Sequence, residues 1–321
     1  MEMASIKQLT EEKFPIKEMI EDLKRLTDNP EELKDYLKDQ EIPIFIMTYN
    51  HEKNRIKIAE QFKNICKIYY VCSTDDPYLD TFKTELEDWE NLLVFSKEDY
   101  IGDITTNGDE YGLVPPYNKS ACFPRRFVSD YVEKNNIRNY ILSDNDLIAS
   151  IRFYNGKRYP FSEELLLHGI KIYFYLLEKY NDYLSWINAV SVLGEIGGAV
   201  YKDHYIRPAC LGLYFFNKPI EWRGRYFEDD VTELLLLKEQ KRLAITFPFI
   251  RFECLVKIGE GDMSEAYNQL ADNHGVEYGF KNIKPARHHY TSFFFKDDNI
   301  PGIDNPRLFY GKIVKHLLTN M

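Results

Sequence analysis

Paired cysteines are missing from this chain. Its five thiols, Cys66, Cys72, Cys122, Cys210 and Cys254, are odd in number, scattered and mostly set in apolar runs. No two of them form a Cys-x-x-Cys knuckle, which argues against a thiolate zinc site and against a disulfide scaffold; buried, reduced thiols are expected. No apolar run reaches the length that crosses a bilayer, and the first residues hold no basic segment followed by an apolar one, so a soluble cytoplasmic protein is expected. Positive charge is short as well: 41 Lys and Arg stand against 51 Asp and Glu, a formal net charge of −10. That balance disfavours unspecific attraction to nucleic acid or anionic lipid, although an acidic protein can still carry a local basic face. Internal repeats, low-complexity tracts and interdomain linkers are also lacking.

What the chain does have is length and rings. Its 321 residues fit one large α/β unit with extra terminal helices, and 24 Tyr with 21 Phe supply a sizeable aromatic core. Residues 1–40 read as a helical extension of two short charged helices. The second has a start signal at Asn29, with Pro30 at the first helical position and Glu31 and Glu32 in the first turn. Residues 41–150 form a first half and 151–321 a second. From Pro43 the pattern changes to strand 43–47, helix 52–64, strand 67–72, helix 78–90 and strand 91–95. Such alternation indicates right-handed βαβ units and a mostly parallel, Rossmann-type sheet with flanking helices. A Gly- and Pro-bearing loop at 96–120 is long enough to be functional. A helix at 122–135 and a strand at 137–143 follow, then a helix at 163–180, strands at 186–192 and 209–216, a helix at 231–240 and a closing helix at 307–320.

The strand at 137–143 runs into Asp144-Asn145-Asp146. Alternate residues of an extended segment share a face, so both carboxylates are expected together at the C-terminal lip of a strand, where ligand crevices of α/β sheets open. Paired carboxylates there can hold a hard divalent cation, and the cation a diphosphate. Thr48, Tyr49 and Asn50 end the first strand, with Arg55 one helical turn on. They lie where a nucleotide's base and phosphates meet strand lips and helix N-termini. Asp75, after the second strand, is placed to accept an N–H from a base, or to cap the helix that follows Pro77. Arg125 and Arg126 suit bidentate diphosphate binding, though adjacent helical residues cannot both face one cleft.

A second acidic group, Glu228-Asp229-Asp230, precedes an apolar run. Acids there suit a general base kept ionised by a helix N-terminus, and they suit simple capping equally. His288 and His289 could add an imidazole to a cation or phosphate site. Basic and aromatic residues interleave around Arg152, Lys157 and Arg158 and around Trp222, Arg223 and Arg225, as backbone contact plus stacking on an extruded base requires.

Taken in order, the strand-lip polar residues, Asp144-Asn145-Asp146, the acids at 228–230 and the late histidines resemble a GT-A-fold glycosyltransferase over roughly residues 42–290. Pro124-Arg125-Arg126, Tyr140 to Asp146 and Phe227 to Asp230 look most like the glycosyltransferases of hydroxymethylated DNA pyrimidines, a group that includes the base J glucosyltransferase and phage relatives. That resemblance implies a cytoplasmic enzyme of a bacterial or phage-infected cell. It implies inverting transfer of a sugar, commonly glucose from UDP-glucose, to a 5-hydroxymethylpyrimidine in double-stranded DNA, with Mn²⁺ or Mg²⁺ as cofactor. It assigns 41–150 to the nucleotide sugar and 151–321 to the acceptor. The cation falls mainly to Asp146, aided by Asp144, and the base to Asp229, with Asp230 and Glu228 behind it. Asn145 replaces an Asp common in such triplets. Three other readings compete: a transferase of bacterial glycan or lipid-linked sugar, a nucleotidyltransferase, and a binding module without turnover.

Overall fold

The computed structural model describes residues 5–50, 52–53, 56–86, 91–100, 120–152, 158–159, 161–191, 212–224, 228–254, 291, 294–301 and 310–321. Pro43–Thr48 is buried at every position, as a strand covered on both faces must be, and forms β1. β2 (Lys67–Ser73), β3 (Leu92–Phe95) and β4 (Tyr140–Asp144) join it in the parallel order β3-β2-β1-β4. In doubly wound folds the point where strand order reverses is where the ligand crevice opens. Here that point lies between β1 and β4, so Thr48 and Asp144 end at its lip.

The sheet continues with β5 (Leu147–Arg152), β6 (Arg158–Tyr159), β7 (Leu184–Ser191), β8 (Leu213–Phe216) and β9 (Leu243–Cys254), in the full order β3-β2-β1-β4-β8-β7-β9-β5-β6. β8 lies antiparallel between β4 and β7, and β5 antiparallel between β9 and β6; β7 and β9 are parallel. The result is an α/β architecture on one mixed sheet in which, among the described strands, β8 and β5 alone run against the rest.

Alternation along the strands feeds two cores. Ile44 and Ile46 join the larger, while Phe45 and Met47 join an aromatic one on the other face with Tyr140, Trp186, Tyr214, Phe216 and Trp222. α3 (Lys57–Phe62), α4 (Leu79–Glu85), α5 (Cys122–Lys134), α6 (Glu163–Lys179) and α7 (Glu228–Gln240) flank the sheet. α6 opens at Ser162, whose hydroxyl accepts the Leu165 N–H. Gly169 lets the Phe249 ring approach so closely that a Cβ would lie 2.6 Å from it. α1 (Ile6–Lys13), held by the Ser5–Gln8 capping box, and α2 (Ile16–Asp28) precede the sheet, and α8 (Tyr310–Thr319) closes the chain. α2 docks on α6 through the Tyr180 hydroxyl, which donates to Asp22 at 2.6 Å, and through Leu26 O, 3.0 Å from His168 Nε2.

Three expectations need correction. The start signal at Asn29 opens only a 3-10 turn, Pro30–Leu33. Asn29 instead ends α2, its amide donating to Arg25 O, and the chain then turns through Leu37 at φ 58 to bury Leu33 and Leu37 and enter β1. The segment 52–64 is helical over Lys57–Phe62 alone. β5, β6 and β9 go unannounced in the sequence reading; β9 and β5 carry Phe247, Phe249, Phe252, Leu147 and Ala149 into the cores, where tertiary burial rather than a flanking turn signal defines them. The reading of 96–120 falls mostly on residues outside those described. Among the described residues no helix is long and apolar enough to cross a membrane.

Candidate functional site

At the lip of β1 and β2 the side chains interlock. The Thr48 hydroxyl is buried and donates to Val71 O at 3.1 Å, which ties the two strand ends together. Tyr49 lies half-buried with the Lys97 ammonium 4.2 Å from its ring centroid, and that ammonium donates to Asp75 Oδ2 at 2.8 Å. Partial burial pushes the Asp75 carboxyl up, but the hydrogen bonds from Lys97 and Ser73 together with the Lys97 charge outweigh it and leave Asp75 below its ordinary value. Asp75 keeps 52% of its side chain exposed. The turn and cap role falls to its neighbour, since Asp76 Oδ1 accepts the Tyr78 and Asn50 N–H groups, the latter from a residue at φ 56. Lys97, in a 3-10 turn just after β3, carried no signal in the sequence because one lysine in an acidic loop looks like any other.

The second pole is built around Arg125. It sits in the first turns of α5, is 4% exposed, and points inward to two carboxylates. Its Nη1 is 2.9 Å from Glu228 Oε1 and its Nη2 3.7 Å from Asp144 Oδ1. The guanidinium lies 4.8 Å from the Tyr214 ring centroid and 4.9 Å from that of Trp222. An arginine buried this deeply stays charged because carboxylates surround it and rings flank its plane. Arg126, by contrast, points outward to Asp130 at 3.5 Å. The adjacent pair therefore divides as helical geometry requires, and Arg125 bridges β4 to α7.

Asp144 is the last residue of β4, while Asn145 and Asp146 form the turn into β5. This corrects the expectation of two alternate residues on one strand: the chain reverses between them. Both side chains stay half-buried, and Asp144 is 24% exposed. Burial pushes its carboxyl up to about 6; Arg125 opposes that shift, while Asp146 and Glu228 add to it. Crowded carboxylates of this kind gain from a hard cation, and carboxylate oxygens are what such a cation takes. The pair would offer a divalent ion two carboxylates. No group of three possible ligands occurs among the described residues, so the remaining positions would fall to water, a bound diphosphate or residues beyond those described.

Gly212 makes this arrangement possible. Its carbonyl accepts the Asp144 N–H at 2.9 Å, and a Cβ there would lie 2.2 Å from Asp144 Oδ2. A glycine beside a strand can mark close backbone approach, and that residue type is the signal Gly212 carries in the sequence. Gly212→Ala is expected to expel the Asp144 carboxylate from its place beside Arg125. The check is urea unfolding, in which stability should fall by about 1–3 kcal/mol, the usual cost of overpacking; a wild-type midpoint would show the close approach to be dispensable.

Glu228, Asp229 and Asp230 open α7 as expected, and all three are buried. The Asp230 N–H donates to Asp229 Oδ1 at 3.0 Å. Of the residues expected to touch an acceptor, Arg152, Arg158, Trp222 and Arg223 are described. Trp222 is 2% exposed and packs against Trp186, Tyr214 and Arg125, so its ring belongs to the core beneath the site. Arg223 reaches Glu239 at 2.9 Å and Glu221 at 3.3 Å. The backbones of Arg152 and Arg158 pair across β5 and β6. Arg55, Lys157, Arg225, His288 and His289 lie outside the described residues. No family model and no curated protein matches the chain.

Proposed function

We propose that the protein is a metal-dependent inverting glycosyltransferase that moves a hexose, in the first instance glucose from UDP-glucose, to the hydroxyl of a 5-hydroxymethylpyrimidine in DNA. The observation that carries the transferase reading is the Arg125 bridge. It brings Asp144, at the switch point where a nucleotide crevice opens, together with the acids that begin α7. Inverting transfer needs a diphosphate handle and, on the opposite face of the sugar, a carboxylate that takes the acceptor's proton. In this reading Asp146 and Asp144 hold the cation and through it the diphosphate. Tyr49 and Asp75, set by Lys97, meet the nucleoside. Asp229 is the base. Sequence resemblance alone supports the DNA acceptor.

Asp146→Ala is expected to lose turnover and cation-dependent UDP binding while remaining folded, because removing one carboxylate from a crowded acidic turn relieves repulsion. Calorimetry with Mn²⁺ and UDP checks this, and unchanged affinity would sink the cation assignment. The rival nucleotidyltransferase reading uses the same paired acids but releases pyrophosphate instead of a nucleoside diphosphate.

A further inference from the structure

Beside the carboxylates lies a row of uncharged hydrogen-bonding groups that the account above leaves unused. Tyr214 on β8 stands directly across from Asn188 on β7, and Asn188 across from Thr246 on β9. Side chains in register on neighbouring strands share a face. Tyr214 and Asn188 are 0% and 2% exposed, yet the Tyr214 hydroxyl and the Asn188 amide nitrogen have no hydrogen-bond partner among the described residues. Thr246 is only half-buried, so the row is not sealed at that end.

The orientation of the Asn188 amide is set by chemistry. An indole N–H can only donate, so the oxygen must face Trp186 Nε1, 2.9 Å away, which leaves the NH₂ for something else. Tyr214 is held with its ring under the Arg125 guanidinium. Asp229, Asp144 and Glu228 are near enough that their charges act on its hydroxyl, which burial first of all keeps protonated. Two buried donors left open in a packed interior are costly unless a ligand completes them.

We propose that Tyr214 and Asn188 form a subsite for the hydroxyl groups of a sugar ring, held between these two donors and the carboxylate of Asp144. Each sugar hydroxyl both donates and accepts, so a wall of N–H and O–H groups facing a carboxylate satisfies it on both counts. A phosphate only accepts, so it would leave the carboxylate without a donor. The inference rests on the transferase reading, and it adds that the sugar, rather than the nucleotide, is recognised here.

The test compares UDP with UDP-glucose, UDP-galactose and UDP-N-acetylglucosamine by calorimetry in Mn²⁺, on the wild type, Tyr214→Phe and Asn188→Asp. Tyr214→Phe keeps the ring and removes only an unpartnered hydroxyl, so its melting temperature should match or exceed the wild type's. The wild type is expected to bind one of the UDP-sugars more tightly than UDP. Each variant should lose about five- to tenfold of that sugar-dependent affinity, the worth of one hydrogen bond, with UDP affinity unchanged. If Asn188→Asp does not fold, Tyr214→Phe alone carries the comparison. A preference for the sugar nucleotide that survives in the folded variants overturns the subsite, as does a wild type that binds UDP and UDP-sugars equally; either leaves the transferase reading standing. A wild type that binds neither UDP nor any UDP-sugar overturns that reading and the subsite with it.

Discussion

Asp229→Asn should bind a UDP-sugar with near-normal affinity and transfer it about 10²–10⁴-fold more slowly, the usual cost of a lost general base. Glu228, Asp229 and Asp230 fan out by about 100° per residue at the start of α7, so one of them at most can aim at an acceptor hydroxyl. Glu228 is committed to Arg125 at 2.9 Å. Asp230 is 1% exposed and Asp229 7%, and the Asp230 N–H donates to the Asp229 carboxylate. Of the two, Asp229 is the less buried. Single-turnover kinetics beside a binding titration separates the two effects. Full activity in Asp229→Asn with loss in Asp230→Asn moves the base by one residue, and full activity in both reduces the group to a helix cap.

The largest stability effect is expected at Arg125. Arg125→Met removes the cation between Glu228 and Asp144 and leaves the buried Glu228 carboxylate without its partner, a loss that costs about 3–5 kcal/mol for a buried pair. Urea unfolding should show the midpoint falling accordingly. The double variant Arg125→Met/Glu228→Gln should recover part of the loss, because neutralising Glu228 removes the unpaired buried charge that the single variant creates. An Arg125→Met midpoint equal to the wild type's would mean that the bridge contributes nothing to the fold, and the coupling of the two acidic poles would fall with it.

The features that sequence alone revealed are those with local chemistry. The apolar run from Tyr140 into Asp144 announced a strand with acids at its lip because both signals sit within a few residues. The acids before Val231 announced a helix start for the same reason. What stayed hidden depends on long-range packing. Nothing near Arg125 says that it will be swallowed by Tyr214 and Trp222, since those rings arrive from β8 and from the segment before α7. Trp222, flanked by charge, reads as a surface ring, yet its burial comes from Trp186 on β7. Gly212 gains meaning only once β8 lies antiparallel to β4 and sets it against Asp144. β9 escaped notice because its run of Leu243 to Cys254 lacks the strict alternation of a half-buried strand; it is buried on both faces and bends between two partners, β7 and β5.

The central claim is sugar transfer through a cation-held diphosphate, and the most direct measurement is mass spectrometry of nucleosides. The protein is incubated with Mn²⁺, duplex DNA containing a 5-hydroxymethylpyrimidine and a panel of nucleotide sugars, and the DNA is then digested. The account predicts a hexosylated hydroxymethyl nucleoside, formed with an equal amount of UDP and dependent on the cation. An unmodified nucleoside, with pyrophosphate released from a nucleotide or with sugar passed to a free oligosaccharide instead, would contradict it.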